Sequence, residues 1–346
     1  MRRRVLLGVM LAAGAVIVQP KVALAQRDIA FVDVSVLPMG KAEEVHSHQT
    51  VLVRRGMILR IGRVDSIHLA PGTHRIDGRG RFLVPGLADM HTHDDDPADV
   101  PLFLANGVTT TLHMGGSSVW YRRSLRANIA AGRAIAPYPL SALLVDGPGD
   151  AGGVGVVPAS PAEARRVVAE ARSKGYDYIK IYSRVQPDIF DAVMSEAARV
   201  NITVTGHVVR SVGLARSLTS GERMLAHGEE YLTVFDDDDH PDSTKIPELV
   251  RLTIATHAWV TPNLMGIQRI AEQWGKGDSV VEGWLATADA HLMRPGLREK
   301  WRSKGFTRLK GTYDAQAGFV RQLVPALYRA GVPLLAGTDT PDLAGS

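Results

Sequence analysis

Gly86-Leu87-Ala88-Asp89-Met90-His91-Thr92-His93 is an apolar segment that ends in a His-x-His pair, and the rest of the chain reads as scaffold for it. The run Arg81-Phe82-Leu83-Val84-Pro85 leads into it, so the segment has the length and flanks of a short buried strand. Successive strand side chains point to opposite faces, and residues two apart share one. His91 and His93 therefore leave the strand's end on one side and can converge on one cation, while Thr92 turns away.

Downstream of Leu83 the pattern is strand followed by helix, repeated. Gly107–His113 is rich in β-branched residues, and Tyr138–Leu144 reads as the next strand. Ser160-Pro161-Ala162-Glu163 carries a capping box with proline at the first helical position, Val167, Val168 and Ala171 give that helix an apolar stripe, and Gly175 stops it. Then come a strand over Tyr176–Tyr182, a helix over 188–200, and a strand Ile202–Gly206 ending at His207. A helix near 211–220 precedes the segment Arg223–His227, and Trp259-Val260-Thr261 is followed by a long helical stretch. The last strand is Val332–Asp339. Eight strand–helix steps predict an α/β fold, a parallel (β/α)8 TIM barrel over residues 83–346.

Upstream, residues 26–82 differ in character. Three short strands, near Ile29–Val36, Thr50–Val53 and Met57–Gly62, predict a small module that forms the N-terminal part of a β-sandwich, with His46, His48, His68 and His74 at its surface or turns. Residues 1–25 have the features of a secretory signal peptide. Arg2-Arg3-Arg4 precedes an apolar run from Val5 to Val18, and Ala23-Leu24-Ala25 predicts cleavage after Ala25. The expected location is outside the cytoplasm, in the periplasm, with no stable membrane span once the leader is removed.

The formal charge of +4 comes from 40 basic and 36 acidic residues. The leader holds Arg2, Arg3, Arg4 and Lys21 and no acid, so 40 minus those four leaves 36 basic against 36 acidic. A neutral remainder gives no electrostatic case for nucleic acid. With no cysteine in the chain, disulfides and thiolate metal sites are excluded, and any metal must be held by nitrogen and oxygen.

Functional groups of such barrels gather at the C-terminal ends of the strands. By this count His91 and His93 end strand one, His207 strand five, His227 strand six and Asp339 strand eight. Lys180 lies between Ile179 and Ile181 in strand four, and alternation sends both isoleucines outward and the lysine into the barrel. Burial lowers a lysine's pKa, and a neutral amine can add carbon dioxide to become a carbamate, a carboxylate-like group able to bridge two cations. Six nitrogen and oxygen donors on one end of a barrel suit two divalent ions, with zinc the best match. Two such ions sharing a hydroxide make a nucleophile at neutral pH.

His91-Thr92-His93, Ile179-Lys180-Ile181, Gly206-His207, His227-Gly228 and Gly337-Thr338-Asp339-Thr340 resemble the amidohydrolase superfamily, most of all its imidazolonepropionase-like and binuclear prolidase-type metal-dependent hydrolases. The likeness extends to Pro85-Gly86-Leu87 and Gly107-Val108-Thr109-Thr110 and runs from about Ile29 to the last residue. It implies that His91, His93 and Asp339 hold a first metal, that His207 and His227 hold a second, and that carboxylated Lys180 bridges them. It also implies that Asp339 takes the proton of the attacking hydroxide and delivers it to the leaving amine. The chain departs from the family at Leu112-His113-Met114-Gly115-Gly116, where His113 is a candidate pocket residue. It also ends at Ser346, seven residues after Asp339, so the final helix and the returning half of the sandwich are expected to be missing.

Arg184, Arg210 and Tyr231 follow Lys180, His207 and His227 and are candidate contacts for a substrate carboxylate. The expected activity is hydrolysis of the C–N bond of a dipeptide or acyl-amino acid. Alternatives are hydrolysis of a cyclic amide or ester on the same centre, or a truncated, inactive remnant that still binds metal. The expected partner is a small molecule or dipeptide, and the sequence leaves a homo-oligomer open.

Overall fold

In a computed structural model the protein is described over residues 28–40, 44–149, 155–303 and 305–341. The predicted leader lies outside these residues. Chain contacts divide the molecule between Pro85 and Gly86 into two compact units.

The first unit is one five-stranded sheet made of β1 (Ile29–Val36), β2 (His46–Arg54), β3 (Met57–Arg63), β4 (His74–Asp77) and β5 (Phe82–Leu83). Its order is β3-β2-β1-β4, with β5 also pairing β1. β2 runs antiparallel to β1 and β3, whereas β4 and β5 run parallel to β1. Val34, Val36 and Val51 are its buried core, packed by Phe31, Val53 and Leu83. The four histidines assigned to this region are all exposed.

The second unit is the barrel. β6 (Leu87–Thr92), β7 (Val108–His113), β8 (Tyr138–Val145), β9 (Tyr178–Ile181), β10 (Thr203–Gly206), β11 (Met224–Ala226) and β12 (Trp259–Thr261) form one parallel sheet in chain order. The chain between Pro333 and Thr340 closes it. On one side Val260 N–H donates to the Pro333 carbonyl at 3.0 Å and Leu335 N–H to the Val260 carbonyl at 2.8 Å. On the other side Met90 N–H donates to Ala336 at 2.8 Å, Asp339 N–H to His91 at 2.7 Å and His93 N–H to Thr340 at 2.7 Å. This segment does the work of an eighth strand but is less regular than the expected Val332–Asp339 strand, with isolated bridges at Leu334 and Thr340. Two local features break its pleat. Asp339 adopts a left-handed φ of 62°. Gly337 lies so close to Thr261 and His91 that a β-carbon there would collide with both.

Alternation sorts the side chains as the sequence predicts. Leu112, Met114, Met224 and Ala226 pack inside the barrel with Met90, Leu140, Tyr178 and Leu335. Ile179, Ile181 and Val204 face outward into the layer formed with the helices Pro161–Ser173 and Pro187–Val200. Leu225 and Val260 do the same against Ile246–Ala255 and Asp314–Arg329. Burial of each such aliphatic side chain is worth about 1.5–3 kcal/mol. A one-residue slip of β9 would turn Ile179 and Ile181 inward and Lys180 out, so the outer layer fixes where the lysine points. The helix Pro161–Ser173 begins as expected, with the Ser160 hydroxyl accepting from Glu163 N–H at 3.2 Å.

Candidate metal centre

Each predicted ligand comes from the C-terminal end of a strand or the turn just beyond it. His91 ends β6 inside the ladder to the closing segment and is fully buried. His93 follows β6, and its Nε2 lies 3.3 Å from Asp339 Oδ1; His91 Nε2 lies at the same distance from that oxygen. His227 leaves β11 in an unusual backbone conformation, φ 77°, which brings its ring over the barrel mouth. Its Nε2 is 3.3 Å from His91 Nε2 and 3.5 Å from Asp339 Oδ2. His207 follows β10 with its ring centroid 4.8 Å from that of His227. It leaves the strand through Gly206, where any side chain would strike the Ile181 backbone.

These spacings decide what the cluster suits. Atoms bound about 2.0–2.1 Å from one tetrahedral cation lie roughly 3.3–3.4 Å apart, by the geometry of the tetrahedron. The separations among His91, His93, His227 and Asp339, 3.3 to 3.5 Å, fall on or just above that edge length. Two facing Nε2 atoms at 3.3 Å with no cation between them would share one proton or repel. The donor set fits a divalent metal, with His91, His227 and Asp339 as one convergent group and His207, His227 and Glu230 as another.

Lys180 is fully buried inside the barrel, and its Nζ has no hydrogen-bond partner; it lies 5.6 Å from the centroid of the Tyr182 ring. Burial brings its amine down to about 8, against the pull of Asp339 and Glu230. Burial and then Lys180 hold His91 and His207 well below the ordinary imidazole value, so both rings are neutral donors. Burial would also depress His227, but Glu229 and Asp339 outweigh it and raise the ring. For Asp339 burial works upward, yet His93 and His227 bring the carboxyl down to about 2. A lysine amine brought within reach of deprotonation, two neutral imidazoles at His91 and His207 and an ionised carboxylate at Asp339 are protonation states that favour a metal site.

The substrate-side candidates fare differently. Arg184 and Arg210 are exposed on the turns after β9 and β10, which are tied by Arg210 N–H donating to the Ser183 carbonyl at 2.9 Å. His113 is buried, its Nε2 is 3.0 Å from the His93 carbonyl and its ring is 5.8 Å from that of His93, so it braces a ligand from behind. Tyr231 does not face the site, and its expected role is corrected here. Its side chain is fully buried in the outer core and its hydroxyl bonds Thr253 at 2.8 Å. The cause is local: Gly228–Val234 is a 3₁₀ helix, whose tight turn carries the residue four beyond His227 away from the mouth.

Three supporting carboxylates went unnoticed in the sequence. Asp89 is buried and binds His91 N–H at 3.1 Å, Thr338 N–H at 3.2 Å and the Thr338 hydroxyl at 2.6 Å, locking β6 to the closing segment. Its signal was the strand period, which sets residue 89 beneath residue 91 on one face. Glu229 and Glu230 stand behind His227 and His207. Their signal was position, directly after a ligand histidine on a turn.

No protein-family model matches the chain. A 5-methylthioadenosine/S-adenosylhomocysteine deaminase of Symbiobacterium thermophilum is 37% identical over 59 residues, which span 17% of this chain and 14% of the deaminase. Among solved structures, bottromycin amidohydrolase superposes with a TM-score of 0.66 at 20% identity, over 93% of this chain and 71% of that one. A Xaa-Pro dipeptidase with bound methionine in its active site superposes with a TM-score of 0.61 at 18% identity, over 90% of this chain and 79% of that one. The fold shared with these structures is therefore a mixed α/β architecture, a nearly closed barrel of parallel strands with a separate sheet. Other solved structures with this fold include one described as a prolidase from Bifidobacterium longum, with a TM-score of 0.65 at 20% identity over 92% of this chain and 74% of that one.

Proposed function

We propose that this chain is a metal-dependent hydrolase of C–N bonds that acts on a dipeptide or acyl-amino acid. The observation that carries it is the convergence of His91, His93, His227 and Asp339 at tetrahedral-edge spacing above an unpartnered, buried Lys180. Support from outside comes from neighbours named for amide and dipeptide hydrolysis. His91, His93 and Asp339 would hold one divalent ion, zinc being the best chemical match, and His207 and His227 a second. Lys180, carboxylated by carbon dioxide, would stand between them. When bound, the ions supply Lewis acidity for a substrate carbonyl and a water activated at neutral pH.

The protein's own residues carry the remaining steps. Asp339, already ionised, accepts the proton of the attacking water and returns it to the departing amine, so one carboxylate serves both transfers. Arg184 and Arg210 offer guanidinium groups at the mouth for the substrate's carboxylate. The leader features of residues 1–25 support a periplasmic location for this reaction.

The test is metal analysis of the purified chain together with hydrolysis of a dipeptide and N-acyl-amino-acid library. About two divalent ions per chain with turnover of library members is the expected result. A chain that binds no divalent ion, or a loaded chain that turns over only cyclic amides or esters, contradicts the proposal.

A further inference from the structure

The second pair of histidines is backed by two consecutive carboxylates. Glu230 is buried, with Oε1 2.5 Å from His207 Nδ1 and Oε2 accepting Val208 N–H at 2.8 Å. Glu229 Oε1 lies 3.3 Å from His227 Nδ1, and its Oε2 accepts the Tyr313 hydroxyl at 3.2 Å. Tyr313 is itself held by a stacked contact with Trp274, ring centroids 5.1 Å apart. Every oxygen of the two carboxylates is thus accounted for, one on a ring nitrogen and one on an anchor within the barrel unit. Glu229 is an outer partner by geometry, because it meets Nδ1 of His227 while Nε2 of that ring faces His91 and Asp339, and Glu230 meets the same nitrogen of His207.

We infer that Glu229 and Glu230 are positioning residues that fix His227 and His207 as Nδ1–H tautomers, presenting Nε2 of both rings to the second metal. The inference rests on the metal-centre proposal above. An imidazole has one N–H in its neutral form, and a carboxylate beside Nδ1 requires it there, which leaves the Nε2 lone pair free for a cation. The same carboxylates orient the rings and raise their basicity toward a bound ion, an effect typically worth 10–100-fold in metal affinity. The adjacency of the two glutamates explains how one short turn serves two histidines from different strands. The chain leaves β11 through His227, and the 3₁₀ turn then swings residue 229 back beneath His227 and residue 230 across to β10. Glu230 is not a ligand in this account, although it groups with His207 and His227 as a donor.

The experiment compares the full-length protein with Glu230→Gln and Glu229→Gln by competition titration with zinc after chelator treatment, in bicarbonate buffer. Tautomers are read in the metal-free wild type from ¹⁵N NMR of its histidines. The expected wild type takes up two ions, with His207 and His227 showing Nδ1–H. In Glu230→Gln the first ion binds as before and the second about 10–100-fold more weakly. Glutamine cannot accept from both Nδ1–H and Val208 N–H without turning its amide nitrogen onto one donor, so the variant isolates the acceptor role at nearly constant shape. Glu229→Gln, whose hydrogen bond is longer, should weaken the second ion less. Uptake of both ions at wild-type affinity by Glu230→Gln, or an Nε2–H tautomer at His207 in the wild type, overturns the inference and leaves the metal centre standing. A wild type that takes up no ion overturns both. Should Glu230→Gln fail to fold, the wild-type tautomer still decides.

Discussion

The two halves of the candidate centre are held by different means. His91, His93 and Asp339 are fixed by main-chain hydrogen bonds across the seam where β6 meets the closing segment, with Asp89 riveting Thr338 to His91. His207 and His227 also bond neighbouring strands through their N–H groups, to Ile181 at 2.9 Å and Thr261 at 2.8 Å, but they sit on turns beyond short strands and their rings are held by carboxylate side chains. The first half is therefore part of barrel closure: the bonds that seal the fold also set the ligand geometry. In the second half the main chain places the residues, and the ring orientation depends on Glu229 and Glu230. Substitutions near the seam should cost stability and function together, whereas those behind the turn histidines should weigh more on metal affinity than on stability.

The largest effect that can break this contrast is at Asp339. Asp339→Asn should lower kcat by about 10²–10⁴-fold on any substrate the library assay identifies, the usual worth of a positioned general base. Steady-state kinetics of the metal-loaded variant measures it, and turnover within tenfold of wild type would remove Asp339 from the proton path.

Next comes the buried lysine. Its folded pKa of about 8 lies below the unfolded value of 10.5, so the unfolded chain binds more protons between those limits and stability rises with pH across that window. Below about pH 8 the full penalty for burying this amine is present; it shrinks between about 8 and 10.5 and is gone only above 10.5, where the unfolded chain's lysine is neutral too. Metal-free wild type should gain roughly 3 kcal/mol relative to Lys180→Met between about pH 7.5 and 10.5, from the size of that shift. Urea unfolding of both proteins in chelator and bicarbonate-free buffer checks this, and parallel curves would place the amine in water. Lys180→Ala should also lose most activity, since it removes the proposed bridging group.

At the seam, Asp89→Ala leaves the Thr338 donors unpaired and should cost about 1–3 kcal/mol of folding stability. The smallest expected effect is at the mouth. Arg210→Ala should raise KM for a carboxylate-bearing substrate about tenfold, or roughly 1.4 kcal/mol, with kcat little changed. An unchanged KM would assign the carboxylate contact elsewhere.

Much of this was legible in the sequence, because the determinants were periodic. A His-x-His at a strand end and a lysine between two isoleucines can be placed by the two-residue repeat alone, and the barrel put His91, His93 and Lys180 where that repeat required. Tyr231 escaped because the chain tightens into a 3₁₀ turn after β11, and no hydrophobic period marks a turn of that kind. Glu229 and Glu230 escaped because two acids on a turn look like solvated charge until His207, 23 residues upstream of Glu230, is folded against them. The closing segment was anticipated as a plain strand. Its irregularity follows from Asp339 turning into a left-handed conformation to face three imidazoles, and only the assembled site explains that turn.

Anomalous diffraction from crystals grown with zinc and bicarbonate tests the central claim most directly. Two peaks about 3.5–4 Å apart, one among His91, His93 and Asp339 and the other against His207 and His227, with carbamate density extending Lys180 between them, is the predicted map. Peaks absent from the barrel mouth, or an unmodified Lys180 beside a single ion, would contradict it.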